Sequence, residues 1–200
     1  MKDKTITRKI SQGMYVLTTM GGGCVVDAVS QVSAGENPLI AVAVMKTNNT
    51  NLLMKQNEKF ALSVLGFDID PEVIKTYGMN SMREYDKFAN SKTILVDNLN
   101  VIEDSLGYMI CEKIDEIEND THTLFIGRLI GADKFSDEKE MTYAYYQEHK
   151  NELIKVTTKT GKIAWICTIC NYVVYADELP DDYVCPKCSA PKNMFVKKEG

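Results

Sequence analysis

Cys167, Cys170, Cys185 and Cys188 form two C-x-x-C pairs separated by the fourteen residues 171 to 184. Each pair can turn the chain tightly enough to aim two thiolates at one point. Two facing pairs give four sulfurs in a tetrahedron, the geometry that suits zinc or iron. Three chemistries compete. A structural zinc ribbon has this spacing. A pair of disulfides needs an oxidising compartment, which nothing in the sequence marks. One iron held by four thiolates would carry one electron. Trp165, Tyr172 and Phe195 flank the pairs. Such rings shield a cluster from water, and burial and hydrogen bonds to sulfur set its potential. Cysteines and rings alone leave iron and zinc equally open.

A second group of residues lies upstream. Ser30, Gln31 and Ser33 occur in one polar stretch and Lys46 to Thr50 in another. Hydroxyls, backbone N–H groups at a helix start and a lysine can cradle a phosphate, and the same residues serve equally as caps and turns. No G-x-G-x-x-G follows a strand, and neither a P-loop lysine nor H-E-x-x-H occurs, so a Rossmann nucleotide fold is unsupported. Cys24 and Cys111 lie outside the tetrad and read as small packed residues. No residue is singled out as catalytic.

The elements that must position these groups are mostly strands. Extended runs are expected over Met14–Met20, Cys24–Ser33, Pro38–Met45, Phe60–Leu65, Ile94–Val96, Tyr108–Ile114 and His122–Ile130. Gly21 to Gly23 reads as a flexible turn, and the Pro38 run as a strand buried on both faces. Short helices are expected over Leu52–Lys55, and over Glu72–Tyr77 behind an Asp70 cap and Pro71. A closing helix over Met141–Ile154 carries three tyrosines. Strands this frequent, with few long helices, point to an antiparallel barrel instead of βαβ units. Residues 156 to 163 have the composition of a linker, so the expected domains are 1–158 and a metal-stapled 164–200 too short to fold on a core alone.

The 200 residues carry a net charge of −5, with a pI of about 5.2 and no basic stripe, which argues against nucleic acid as a partner. No apolar run is long enough for a membrane span, and the start has no signal-peptide pattern. The expectation is a cytoplasmic protein.

The segments W165-I-C-T-I-C-N-Y, L-P-D-D-Y-V-C-P-K-C and P-K-N-M-F195 resemble a rubredoxin-type domain, in the short form found at the end of rubrerythrins. The resemblance favours iron over zinc. The chain departs from a full rubredoxin in a shorter gap and in Asn171, where glycine is usual; Asn tolerates left-handed backbone nearly as well. Gly13–Thr19, Cys24–Ser33, the Pro38 strand with Lys46 and Thr50, Phe60–Leu65, Tyr77–Phe88, His122–Gly127 and Thr142–Tyr146 resemble the flavin reductase-like, FMN-binding split-barrel family. Mainly β architecture is thus expected: a split β-barrel with a few helices, plus a small rubredoxin-like domain with a four-cysteine metal site.

That resemblance implies that Asp27, Ala28, Val29, Ser30 and Gln31 line the isoalloxazine edge of FMN. Ser33, Lys46 and Thr50 would lie near the ribityl phosphate, and Ser81, Arg83, Lys87 and His122 would close the pocket. Asp27 stands where asparagine is common and Met82 where glycine is usual. His122 could instead be a strand histidine satisfied by backbone, and Lys87 a solvated charge. Together the two segments resemble the high-molecular-weight rubredoxins. This implies an NAD(P)H-dependent flavoprotein that takes hydride from NADH or NADPH onto FMN and passes single electrons through an iron held by the four cysteines. A flavodiiron-type protein reducing oxygen or nitric oxide would be the acceptor, and a homodimer the assembly. A plain NAD(P)H:flavin reductase with a structural zinc tail, and a flavin-binding module whose tail mediates oligomerisation, stay open. Asp177, Glu178, Asp181 and Asp182 form an acidic loop, read either as a steering surface for a basic partner or as a solvated loop.

Overall fold

The computed structural model describes residues 4–81, 86–89, 91–153, 164–170 and 172–198. Arg83, Met82, Asn171 and the expected linker at 156–163 lie outside them. Two compact units divide the chain, Met1–Lys150 and Asn151–Gly200.

In the first unit the apolar runs pair as antiparallel strands. These are β1 (Tyr15–Thr19), β2 (Gly22–Val26), β3 (Val29–Gln31), β4 (Leu39–Met45), β5 (Lys59–Val64), β6 (Thr93–Val96), β7 (Leu99–Ile102), β8 (Gly107–Glu118) and β9 (His122–Lys134). Among the described residues, one sheet of the unit has the order β2-β1-β5-β8-β9-β4-β3, and β6 with β7 forms a separate hairpin. The ladder of β8 with β9 shifts register at Ile110/Cys111 and again at Lys113/Asp115. Each such irregularity bends its strand and adds twist. The sheet curls until β2 approaches β4. Inside the curl, Leu17 faces Cys24 and Leu62, Phe60 faces Cys111, and Val42 faces Phe125. Val26, Ile40 and Val44 complete this core, with Met54 of a helix, α1 (Asn49–Gln56), packed against it. Gly127 makes the packing feasible: a Cβ there would lie 2.5 Å from Phe60 Cζ and 2.7 Å from Cys111 Cβ.

The β6–β7 hairpin packs Leu99 and Val101 against Ala61 and Ile110. Asp97 and Asn98 join it with φ of 50° and 64°, the left-handed pair that a two-residue type I′ turn requires. A second helix, α2 (Pro71–Met79), starts where expected, Asp70 Oδ1 accepting the Glu72 N–H at 2.9 Å. The glycine turn is narrower than expected: Met20 and Gly21 (φ 82°) make it, and Gly22 and Gly23 already belong to β2. The closing helix, α3 (Tyr143–Leu153), begins later than expected. Buried Met141 instead bonds through its backbone to Met14 and Leu65, tying the ends of β1 and β5. Tyr145 stacks on His149 at 4.0 Å and meets Phe67 edge-on at 4.3 Å, a packing role.

The second unit holds β10 (Ala164–Cys167), β11 (Val173–Tyr175) and β12 (Phe195–Lys198) in the order β11-β10-β12. Trp165, Leu179, Ala190 and Phe195 pack with Cys167 and Cys185. The indole N–H donates to Ala176 O at 3.0 Å, and Lys197 Nζ sits 4.9 Å from the Trp165 ring centroid. Among the described residues no helix is long and apolar enough to cross a membrane.

Candidate metal centre and flavin site

The two C-x-x-C loops are built alike. In each, the N–H of the first cysteine donates to a carbonyl five residues on, Cys167 to Tyr172 at 2.9 Å and Cys185 to Ala190 at 2.8 Å. Ser189, following the second cysteine of its loop, has φ 59° and returns its N–H to Cys185 O at 2.8 Å. These turns bring the four sulfurs within 4.8 Å of one another. Cys167 Sγ lies 3.6 Å from Cys188 Sγ, and Cys170 Sγ 3.5 Å from Cys185 Sγ. A disulfide would need about 2.05 Å. Tetrahedral bonds of about 2.3 Å to a central ion put sulfurs roughly 3.8 Å apart. The cluster fits a four-thiolate metal and excludes disulfide pairing.

Burial pushes the Cys170 and Cys188 thiols up, although backbone N–H groups of Tyr172 and Ala190 oppose it. At Cys185 burial also raises the pKa, but N–H groups of Lys187 and Cys188 and the neighbouring sulfurs outweigh it, and the thiol lies below its ordinary value. Four thiolates this close repel one another, so a cation is what stabilises them in that form. Cys167 and Cys185 are buried, whereas Cys170 and Cys188 are half-exposed, so the centre has one wet side. In the loop between the pairs, Asp177, Glu178, Asp181 and Asp182 are exposed, and Asp181 accepts from Lys192 Nζ at 2.7 Å.

In the large unit, the residues expected at the isoalloxazine edge are β3 itself, an edge strand paired with β4, and the two residues before it. Val29 stands opposite Val42, Ser30 opposite Ala41 and Gln31 opposite Ile40. The Val29 side chain packs on the core, while Ser30 and Gln31 are exposed. Ala28 O accepts from Ala43 N at 3.0 Å. Asp27 is half-buried. Burial raises its carboxyl pKa, opposed by the N–H groups of Asp27 and Ala28 and by the nearby His122. His122 opens β9 opposite Met45, its Nδ1 2.8 Å from Thr121 Oγ1. Lys46 directly follows β4. Buried Thr50 lies in the first turn of α1, its N–H donated to Asn48 Oδ1 at 3.1 Å.

Asp27, Lys46, Thr50 and His122 therefore gather at one end of β4. Ser33 does not join them: its Oγ accepts the N–H of Leu39 at 2.8 Å, at the other end of the strand. Seven residues of strand separate the two ends by about 20 Å. One phosphate cannot touch Ser33, Lys46 and Thr50 of the same chain, which corrects that part of the expectation. Ser81 is exposed just beyond α2, and Arg83 lies outside the described residues. Lys87 is 2% exposed, so it is no solvated charge. Its ammonium donates to Gly23 O at 2.8 Å and Tyr77 O at 3.2 Å, fastening its segment to β2 and α2.

A group of residues that the sequence did not single out surrounds Lys46. Glu118, at the end of β8, accepts from Lys46 Nζ at 2.7 Å, from Lys55 Nζ, and from Thr123 Oγ1 at 3.2 Å. The two lysines hold the Glu118 carboxyl down at about 2. Lys113 Nζ donates to Met54 O at 2.8 Å and Lys55 O at 3.0 Å, satisfying carbonyls at the end of α1. Asn51 Nδ2 donates to Val44 O at 2.9 Å.

The flavin reductase like domain matches residues 7–153, and the rubrerythrin, rubredoxin-like domain matches residues 165–196. The chain belongs to the flavin reductase like domain family. This flavin reductase-like chain is 30% identical to high molecular weight rubredoxin from Moorella thermoacetica, over 96% of its own length and 98% of the relative's. It is also 30% identical to ferric-chelate reductase (NAD(P)H) from Archaeoglobus fulgidus, over 69% of its own length and 85% of the relative's. Among solved structures, the NADH:FAD oxidoreductase SgcE6 of Streptomyces globisporus superposes with a TM-score of 0.62 at 20% identity, covering 70% of this chain and 85% of that one. An FMN-binding protein from Thermus thermophilus gives 0.57 at 20% identity, covering 62% and 72%. The flavin reductase-like fold and its rubredoxin-like tail thus occur here in one oxidoreductase chain, with a flavin-binding domain and a cysteine cluster suited to a metal.

Proposed function

We propose that this chain takes hydride from NADH or NADPH onto FMN in a domain spanning 1–158 and delivers electrons singly through an iron held by Cys167, Cys170, Cys185 and Cys188 in a domain spanning 164–200. The observation that carries the reading is the four-sulfur cluster, spaced for one ion, in the same chain as a flavin reductase barrel. Flavin accepts the electron pair of a hydride and parts with its electrons one at a time, whereas a four-thiolate iron accepts one and zinc none. Asp27 to Gln31 and His122 would orient the ring along the β3 edge, and Lys46 and Thr50 would receive the phosphate. Ser33 would meet the opposite end of the cofactor, with Ser81, Arg83 and Lys87 belonging to the loop beside it. Cys167 and Cys185 shield one side of the metal, leaving Cys170 and Cys188 toward an acceptor protein of flavodiiron type. A cytoplasmic homodimer is the assembly proposed.

The test is metal and flavin analysis of purified protein followed by anaerobic titration with NADH and with NADPH. The expected result is one iron and one FMN per chain, a red colour, and bleaching of the iron after the flavin is reduced. Yellow protein carrying zinc would make the tail structural and the chain a plain flavin reductase.

A further inference from the structure

The carboxylate of Glu118 is an anion already seated in a cationic cradle. Lys46 Nζ and Lys55 Nζ both donate to it, and Thr123 Oγ1 adds a neutral donor at 3.2 Å. The three donors come from separate elements, the residue after β4, the last turn of α1 and the second residue of β9. Asn51 ties α1 to β4 and Lys113 ties it to β8, so the backbones that carry Lys46, Lys55 and Glu118 are held together, and the carboxylate draws the two ammonium groups to one point. A site that gathers two lysines and a hydroxyl around one monoanion has one positive charge in excess. Its side chains are accessible, Lys46 at 37%, Lys55 at 35% and Glu118 at 47%.

We propose that Glu118 and a phosphate monoester dianion compete for the ammonium groups of Lys46 and Lys55, and that Glu118 thereby sets how strongly the protein distinguishes a phosphorylated cofactor from its unphosphorylated counterpart. A carboxylate carries one charge and a phosphate monoester nearly two, so the phosphate displaces the carboxylate at the cost of breaking its ion pairs. The chemistry is shared by the terminal phosphate of FMN and the 2′-phosphate of NADPH. The FMN case rests on the function proposed above. The two lysines keep Glu118 ionised through the neutral range, so the pH response there is that of the phosphate, whose second proton leaves at about pH 6, and the competition weakens as ionic strength rises.

The experiment uses the full-length chain, wild type, Glu118→Gln and Lys55→Met. Dissociation constants are measured for FMN against riboflavin, and Michaelis constants for NADPH against NADH. Glu118→Gln is expected to tighten the phosphorylated member of one pair on the order of tenfold at low ionic strength, leaving the other member unchanged. The gain should shrink as salt is added. Lys55→Met should weaken the same member, which keeps the test available if Glu118→Gln fails to fold. A shift confined to FMN/riboflavin assigns the phosphate to the flavin, and one confined to NADPH/NADH assigns it to the nicotinamide cofactor. Equal shifts within both pairs, or none, overturn the proposal and leave Glu118 as a strut between α1 and the β8–β9 hairpin. A wild-type chain that takes up no flavin defeats the flavin reading instead. The cradle then stands or falls on whether Glu118→Gln strengthens binding of inorganic phosphate in calorimetry.

Discussion

Asp27 illustrates how a single carboxyl can work against the fold that holds it. Its unfolded-state value is 3.8, and burial raises it in the folded protein despite the local N–H groups and His122. A raised folded value means the native state prefers the protonated form. The favourable contribution is complete below 3.8 and is lost as pH rises through the folded value. Asp27→Asn, which cannot ionise, should therefore raise the urea midpoint at pH 7 relative to wild type, with the gap closing as pH falls toward 3.8. An equal or lower midpoint at neutral pH would mean that His122 and the amides outweigh desolvation. At this scale the tetrad was legible because C-x-x-C is local and occurs twice, and Lys46 and Thr50 because they follow a strand. Glu118 was not, since its partner Lys55 is 63 residues away and the two meet only when the hairpin folds back on α1. Nor was the role of Lys87, whose acceptors are backbone carbonyls that no side chain advertises.

Among the elements, β9 depends on a missing side chain. Gly127 leaves room where Phe60 and Cys111 cross from the facing strands, and a methyl group would collide with both. Gly127→Ala should lower stability by about 1–3 kcal/mol through overpacking. Gly131→Ala is the matched control on the same strand, because its Cβ would meet Ile110 at an ordinary 3.7 Å. Urea midpoints for the pair measure the difference, and equal losses would mean the cost is conformational, common to any strand glycine. Most strands could be read from their apolar runs, as could the Asp70–Pro71 helix start. The β7 strand could not, because Leu99–Ile102 includes Asn100 and is short; its signal was the Asp97–Asn98 pair that makes the turn. The late start of α3 escaped for a different reason. Met141 has good helix propensity, but its backbone groups are engaged by Met14 and Leu65, a tertiary claim that overrides local preference.

At the scale of the whole chain, two units depend on different forces. The first has a curled seven-stranded sheet with an extensive apolar interior. The second gathers a few apolar side chains around cysteine sulfurs, and chains below roughly 40 residues seldom hold together without a metal or disulfides. Stripping the metal with acid and chelator should melt β10 to β12 while the large sheet keeps its cooperative transition. Hydrogen exchange at residues 164–198 against 15–134 measures this, and simultaneous loss of protection in both would refute independence. Both units were legible in outline, since each carries its own repeated local pattern, strand runs in one and paired cysteines in the other. Trp165 gives this division a practical consequence. It is the chain's single tryptophan, and it lies in the interior of the smaller unit. Selective excitation of the indole therefore reports on the cysteine-bearing unit and on no tryptophan of the barrel, so the chain contains its own optical gauge of that unit's folding.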